Sequence, residues 1–247
     1  MLLLIISLFQ LSFFFESDRI EVIIPSVEAE TEYVWRTIRD IPFFEKHNYQ
    51  LSLPKGALIE SLKEKSRSNE LNESDYLSLA AFMKTRVYNK LNYKKGFDAI
   101  VASKSLVNRM IKEFEELEKD WDYKIFEKYK IQLTLYGPGG SYDPDTGEIL
   151  IYTTKDGNFK QYKDPSNTLI HEIIHIGTQA SIMNKYNVSH PLKERIIDHL
   201  VMINFKQYLP DYKIQSFGDA RIDDFLNQKA DLKELDKIIE KFQSINN

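Results

Sequence analysis

Residues 168–176 read Thr-Leu-Ile-His-Glu-Ile-Ile-His-Ile and set three ionisable side chains inside a run that is otherwise almost wholly aliphatic. No other stretch of the chain restricts the fold as strongly. Leu169, Ile170, Ile173, Ile174 and Ile176 cover most of a helix circumference, so the segment reads as a largely buried helix. His171 and His175 are four positions apart, which puts both imidazoles on one face. Burying them together with the Glu172 carboxylate is costly unless something pairs them. One divalent cation shared by both imidazoles would do so, and Glu172 would stand close enough to handle a proton of water held there. Histidine is scarce, 5 in 247 residues, yet short patterns also arise by chance. The plainer reading is a buried helix whose histidines only pack or cap.

A second segment adds to the first. Pro191-Leu192-Lys193-Glu194-Arg195-Ile196-Ile197-Asp198-His199 begins with a proline suited to a first helical turn after Ser189 or His190. Leu192, Ile196, Ile197, Leu200 and Val201 give an apolar stripe at helical spacing. Glu194 and Asp198, four apart, share a face. Taken alone they read as the charged side of a surface helix. The chain between His175 and Glu194 is long enough to end one helix, turn through residues 184–189 and return, which would bring Glu194 beside the two histidines.

H-E-x-x-H followed roughly twenty residues later by E-x-x-x-D on a second helix resembles the gluzincin pattern of thermolysin-like zinc metallopeptidases. The resemblance spans residues 168–199 and says little about the first half of the chain. It implies an α+β, zincin-like catalytic domain with a small sheet. It implies that His171, His175 and Glu194 ligate Zn2+, that Glu172 is the general base and acid, and that Asp198 hydrogen-bonds the far nitrogen of His171. The implied activity is hydrolysis of a peptide or protein substrate by a zinc-activated water. Thr178 and Ser181 stand where the metzincin extension needs glycine and histidine, and the G-x-M-E-N exopeptidase motif is missing. For a donor to the tetrahedral oxyanion the candidates are Tyr152, Tyr208, Tyr212, His199 and Arg221, among which the sequence does not choose. His190 reads as a helix-entrance residue.

A different class stays open: a non-catalytic, zinc-stabilised binding or scaffold protein of peptidase-like fold. Retention of Glu172 argues against it, since a structural zinc site gains nothing from that carboxylate and usually closes with four protein ligands. A peptidase fold working in signalling or assembly without turnover is a third possibility. Other chemistries are excluded more firmly. With no cysteine there is no thiol nucleophile, disulfide or thiolate zinc site. No G-x-S-x-G elbow occurs, and Gly137-Pro138-Gly139-Gly140 lacks the Lys-Ser/Thr ending of a phosphate loop and reads as a turn. A net charge of −4 speaks against a nucleic-acid partner.

Residues 1–17 are expected to form a hydrophobic signal or anchor segment. Their apolar stretch has the length of a secretion-signal core and is short for a membrane span. Basic residues in front and a clear cleavage site are both missing, so a buried strand or helix is the other reading. Export to the periplasm, the outside or a membrane anchorage is therefore expected. Residues 18–130 read as a mostly helical region and 131–247 as the catalytic domain, with a boundary near Lys130; the first region could cover the cleft or act as a prosegment. Within it, residues 19–24 read as a strand, 27–39 and 54–66 as helices, and Asn72 or Ser74 as the cap of a helix reaching about Leu91. Ser103 is expected to start a long helix, with its stripe from Leu106 to Trp121, continuing to about Tyr129. Residues 131–136 and 148–153, separated by the Asp143-Pro144-Asp145-Thr146-Gly147 turn, form a hairpin candidate, and 148–153 is the expected sheet edge for extended substrate. Asp164-Pro165-Ser166-Asn167 is the expected cap of the metal helix, and Leu232, Leu235, Ile238, Ile239 and Phe242 mark a closing amphipathic helix.

Overall fold

The computed structural model describes residues 18–159, 162–216 and 218–246. The expected signal or anchor segment, residues 1–17, lies outside the described residues. Among the described residues no helix is long and apolar enough to cross a membrane. The chain is α+β, with a four-stranded sheet in the order β1-β2-β4-β3. The strands are β1 (Ile20–Ile23), β2 (Tyr129–Thr134), β3 (Ser141–Asp143) and β4 (Glu148–Tyr152).

Between β1 and β2 run α1 (Val27–Arg39), α2 (Ile41–Lys46), α3 (Ala57–Arg67), α4 (Glu73–Phe82) and α5 (Lys94–Glu116). Their caps follow from sequence. Ser26 Oγ accepts the Ala29 N–H at 3.1 Å. Asn72 and Asp75 form a capping box at the start of α4. That helix stops at Phe82 and passes into a π turn, Met83–Val87, so it falls short of Leu91. α5 starts well before Ser103, whose hydroxyl instead donates back to the Ile100 carbonyl at 2.8 Å. It also ends at Glu116 rather than near Tyr129. There the chain turns away because Trp121 is tied elsewhere: its indole N–H donates to the Leu232 carbonyl at 2.7 Å. The stripe residues Val107, Met110, Ile111 and Phe114 are buried as expected.

The sheet departs from the expected hairpin. β2 and β4 are parallel neighbours, with Lys130 opposite Glu148 and Thr134 opposite Tyr152. The turn at residues 143–147 instead joins β3 to β4, which are antiparallel. Asp143 Oδ1 accepts the Asp145 N–H at 2.8 Å, and Gly147 takes the positive φ (74°) that closes this turn. The glycine run after Tyr136 carries the chain from β2 out past the position β4 later fills. Gly137, at φ 97°, forms an isolated bridge with Ser52 on the way. Consequently 148–153 is not the edge: β4 lies inside the sheet, and β3 is the edge on its side, with β1 at the other. The sheet takes β1 from one side of position 129 and three strands from the other, and the expected boundary near Lys130 falls within β2.

After β4 come α6 (Ser166–Thr178), α7 (His190–Phe205) and α8 (Leu235–Asn246). α6 packs on β3, β4 and α5, and α7 packs on α6. Leu169, Ile170, Ile173, Ile174 and Ile176 are fully buried between these layers. In α8, Leu235, Ile239 and Phe242 are buried, which closes the core from the C-terminal side.

Candidate metal site

α6 begins where expected: Asp164 Oδ1 accepts the Ser166 N–H at 2.8 Å. Past Thr178 it runs into a π turn, Gln179–Asn184, and Asn187 reverses the chain at φ 47°. Ser189 then precedes α7, with proline in its first turn. This connection sets Glu194 against the face of α6 that carries both histidines. Glu194 Oε2 is 3.3 Å from His171 Nε2, and Glu194 Oε1 is 3.3 Å from His175 Nε2. The two Nε2 atoms are 3.0 Å apart. One ligand atom from each of the three residues thus lies within 4.8 Å of the others, a group that could hold a metal ion.

The chemistry of this donor set fits a cation. Two ring nitrogens and a carboxylate face one point, where at most one proton could sit between any pair. His171 and His175 are buried, and Glu194 is nearly so. Burial would raise Glu194, yet the imidazoles beside it hold its carboxyl far below the usual carboxylate range. Burial would lower His171, but Asp198 and Glu194 outweigh it and raise that imidazole. His175, buried and with weaker compensation, is lowered.

Each imidazole is oriented from behind, by different means. His171 Nδ1 is 2.6 Å from the Tyr212 hydroxyl, which donates to Asp198 Oδ1 at 2.7 Å. Asp198 Oδ1 is itself 3.4 Å from His171 Nδ1, and its Oδ2 accepts the Gln215 N–H at 2.7 Å. With its O–H committed to Asp198, Tyr212 accepts from Nδ1–H, which leaves Nε2 as the free lone pair. Asp198 therefore stands behind His171 as expected, with a tyrosine inserted in the contact. His175 is held by stacking: the Tyr142 ring lies 4.9 Å from it at 12°. Among the described residues His175 Nδ1 is buried with no hydrogen-bond partner.

Glu172 shares the helix but points to the sheet edge. A Cβ built on Gly140, just before β3, would lie 2.8 Å from Glu172 Oε1, so any side chain here would push that carboxylate aside. Among the described residues no donor hydrogen-bonds the Glu172 carboxylate. Burial, helped by the Glu194 charge and opposed by His171 and Lys193, pushes it up to about 7. Such a carboxyl is poised to take and give a proton near neutrality.

Of the candidate oxyanion donors, Tyr212 touches the cluster, on the far side of His171. Tyr208 donates to Glu113 at 2.6 Å, His199 Nε2 pairs with Asp223 at 2.8 Å, and Arg221 pairs with Asp219 at 2.6 Å. Tyr152 ends β4 opposite Thr134. His190 opens α7 as expected, yet its Nδ1 also lies 3.6 Å from Glu194 Oε1, and Tyr49 OH is 3.4 Å from its Nε2. Gly140, Tyr142 and Lys193 were not among the residues expected at the site. Only the glycine carried a signal, within a run that read as an ordinary turn.

No family model, no curated protein and no solved structure matches this chain.

Proposed function

We propose that the chain is a zinc-dependent peptidase of the gluzincin type, in which His171, His175 and Glu194 hold the metal and Glu172 is the general base. The observation that carries this reading is the 3.3 Å approach of Glu194 to both imidazoles, with Glu172 beside the cluster but outside it. Two imidazoles and a carboxylate suit zinc best among the common divalent ions. Zinc in such a site supplies a Lewis acid that lowers the pKa of water and polarises a carbonyl. Three protein ligands leave room for water, which favours a catalytic over a purely structural site.

The chain's own residues supply the rest. Glu172 takes the proton of the attacking water and delivers it to the departing amine. Asp198, through Tyr212, keeps the His171 proton on Nδ1. Among the described residues β3 ends the sheet on the side of Glu172 and His175, and an extended peptide can add to that edge with little side-chain preference. The hydrophobic residues 1–17 accord with export, which is part of the same proposal.

The test is cleavage of an unstructured protein by the wild-type chain and by Glu172→Gln, with zinc measured in both. Zinc in both and hydrolysis only in the wild type are expected. Undiminished cleavage by the variant would remove Glu172 from the chemistry.

A further inference from the structure

Lys193 precedes the carboxylate of the cluster in α7, and its ammonium is placed oddly for a surface lysine. It donates to the Tyr142 hydroxyl at 2.9 Å and lies 5.4 Å from the centre of that ring. The same ring stacks on His175, so the ammonium is one aromatic ring away from the cluster. Lys193 is half-buried, yet among the described residues no carboxylate forms an ion pair with it. Its charge acts on both Glu172 and His175. It also stands in the first turn of a helix that carries no acidic residue there. A cation at that end opposes the helix dipole. The position therefore costs helix stability, and among the described residues no ion-paired carboxylate of the fold offsets the cost.

The Tyr142 hydroxyl fixes the direction of the ammonium. It accepts from Lys193 while donating to Gln179 Oε1 at 2.8 Å. Three elements, β3, α7 and the turn after α6, thus hold one cation beside the cluster. An ammonium has three donors, of which the phenol uses one.

Resting on the peptidase reading above, we infer that Lys193, aimed by Tyr142, is a specificity residue that binds a carboxylate of the peptide substrate near the scissile bond. The carboxylate could belong to an acidic side chain or to a free C-terminus, since both present the same acceptor pair to an ammonium.

The test uses the full chain, zinc-loaded and carrying Glu172→Gln so that peptides bind without turnover. Calorimetry compares three peptides of one sequence: glutamate at the centre with an amidated end, glutamine with an amidated end, and glutamine with a free carboxylate end. One acidic peptide should bind about tenfold more tightly than the neutral one, as a charge-assisted hydrogen bond commonly provides. Which of the two gains identifies the source of the carboxylate. Lys193→Gln should abolish the advantage and Lys193→Arg should keep most of it, with zinc content and thermal midpoint checked in each. An advantage that survives Lys193→Gln would trace to the metal or to another cation and overturn the inference. Equal binding of all three peptides, or binding of none, by a protein that holds zinc would overturn it too. A chain that takes up no zinc would sink the peptidase reading instead, and a carboxylate advantage dependent on Lys193 would still stand in that case.

Discussion

Gly140 and Glu172 are in contact across the gap between the sheet edge and α6: a methyl group at position 140 would sit 2.8 Å from Glu172 Oε1. The strand edge that could receive a peptide and the carboxylate that could move a proton are therefore set by one close approach.

Gly140→Ala tests this relationship. The Glu172 side chain can swing aside, so the fold should tolerate the methyl group and zinc content should not change. Displacing a base by about an ångström can cost on the order of 100-fold in rate. Steady-state kinetics should show a fall in kcat of that order, and a variant as fast as the wild type would mean that Glu172 needs no such support.

The two histidines should respond differently to changes behind them. Tyr212→Phe and Asp198→Asn each break the chain of contacts that holds the His171 tautomer. Loss of such support typically weakens metal affinity about 10- to 100-fold. Competition with a chromogenic zinc chelator measures it, and an unchanged affinity in both variants would show that the Tyr212–Asp198 pair serves only packing.

Gly177 is required for packing rather than chemistry. A Cβ there would come within 2.0 Å of the Tyr123 ring, which is wedged between α5 and α6. Gly177→Ala should destabilise the chain by about 1–3 kcal/mol, the usual cost of overpacking a core. Denaturant melts read the loss, and a variant of wild-type stability would show that the ring moves freely.

Glu30 predicts a pH dependence away from the candidate site. It is fully buried, and its Oε1 accepts from Tyr93 O–H, Leu135 N–H and Thr134 O–H at 2.8, 3.0 and 3.2 Å. Burial raises its carboxyl above the ordinary value of 4.5, against those hydrogen bonds. A raised folded value means that the fold prefers the protonated form. The stability from this proton is complete below the ordinary value and is lost as pH climbs through the raised one. Glu30→Gln keeps an accepting oxygen without the charge. Its stability should match the wild type near about pH 4 and exceed it near about pH 8. The opposite order at the higher pH would show that the buried carboxylate is stabilising.

The candidate site was legible in sequence to the extent that it rests on local periodicity. His171 and His175 share a face because a helix repeats that way, and Glu194 could be placed beside them because the intervening chain suits a turn. Tyr142 and Gly140 were not legible. They reach the site from an edge strand whose neighbour is chosen by the whole sheet, and alternation within residues 131–136 and 148–153 cannot distinguish a hairpin from a parallel pair with a third strand outside. Tyr212 drew notice for its hydroxyl, but its place behind His171 depends on where the chain after α7 folds back. The early end of α5 has a similar origin, since Trp121 continues the helical stripe and is claimed by Leu232 from the far end of the chain.

The proposed function requires His171, His175 and Glu194 to grip one zinc ion. Anomalous diffraction recorded on both sides of the zinc absorption edge tests it most directly. A single peak is expected, present only above the edge and roughly 2 Å from His171 Nε2, His175 Nε2 and a Glu194 oxygen, with Glu172 beside it and not bound. An edge-dependent peak elsewhere, or none in crystals of zinc-supplemented protein, would contradict it.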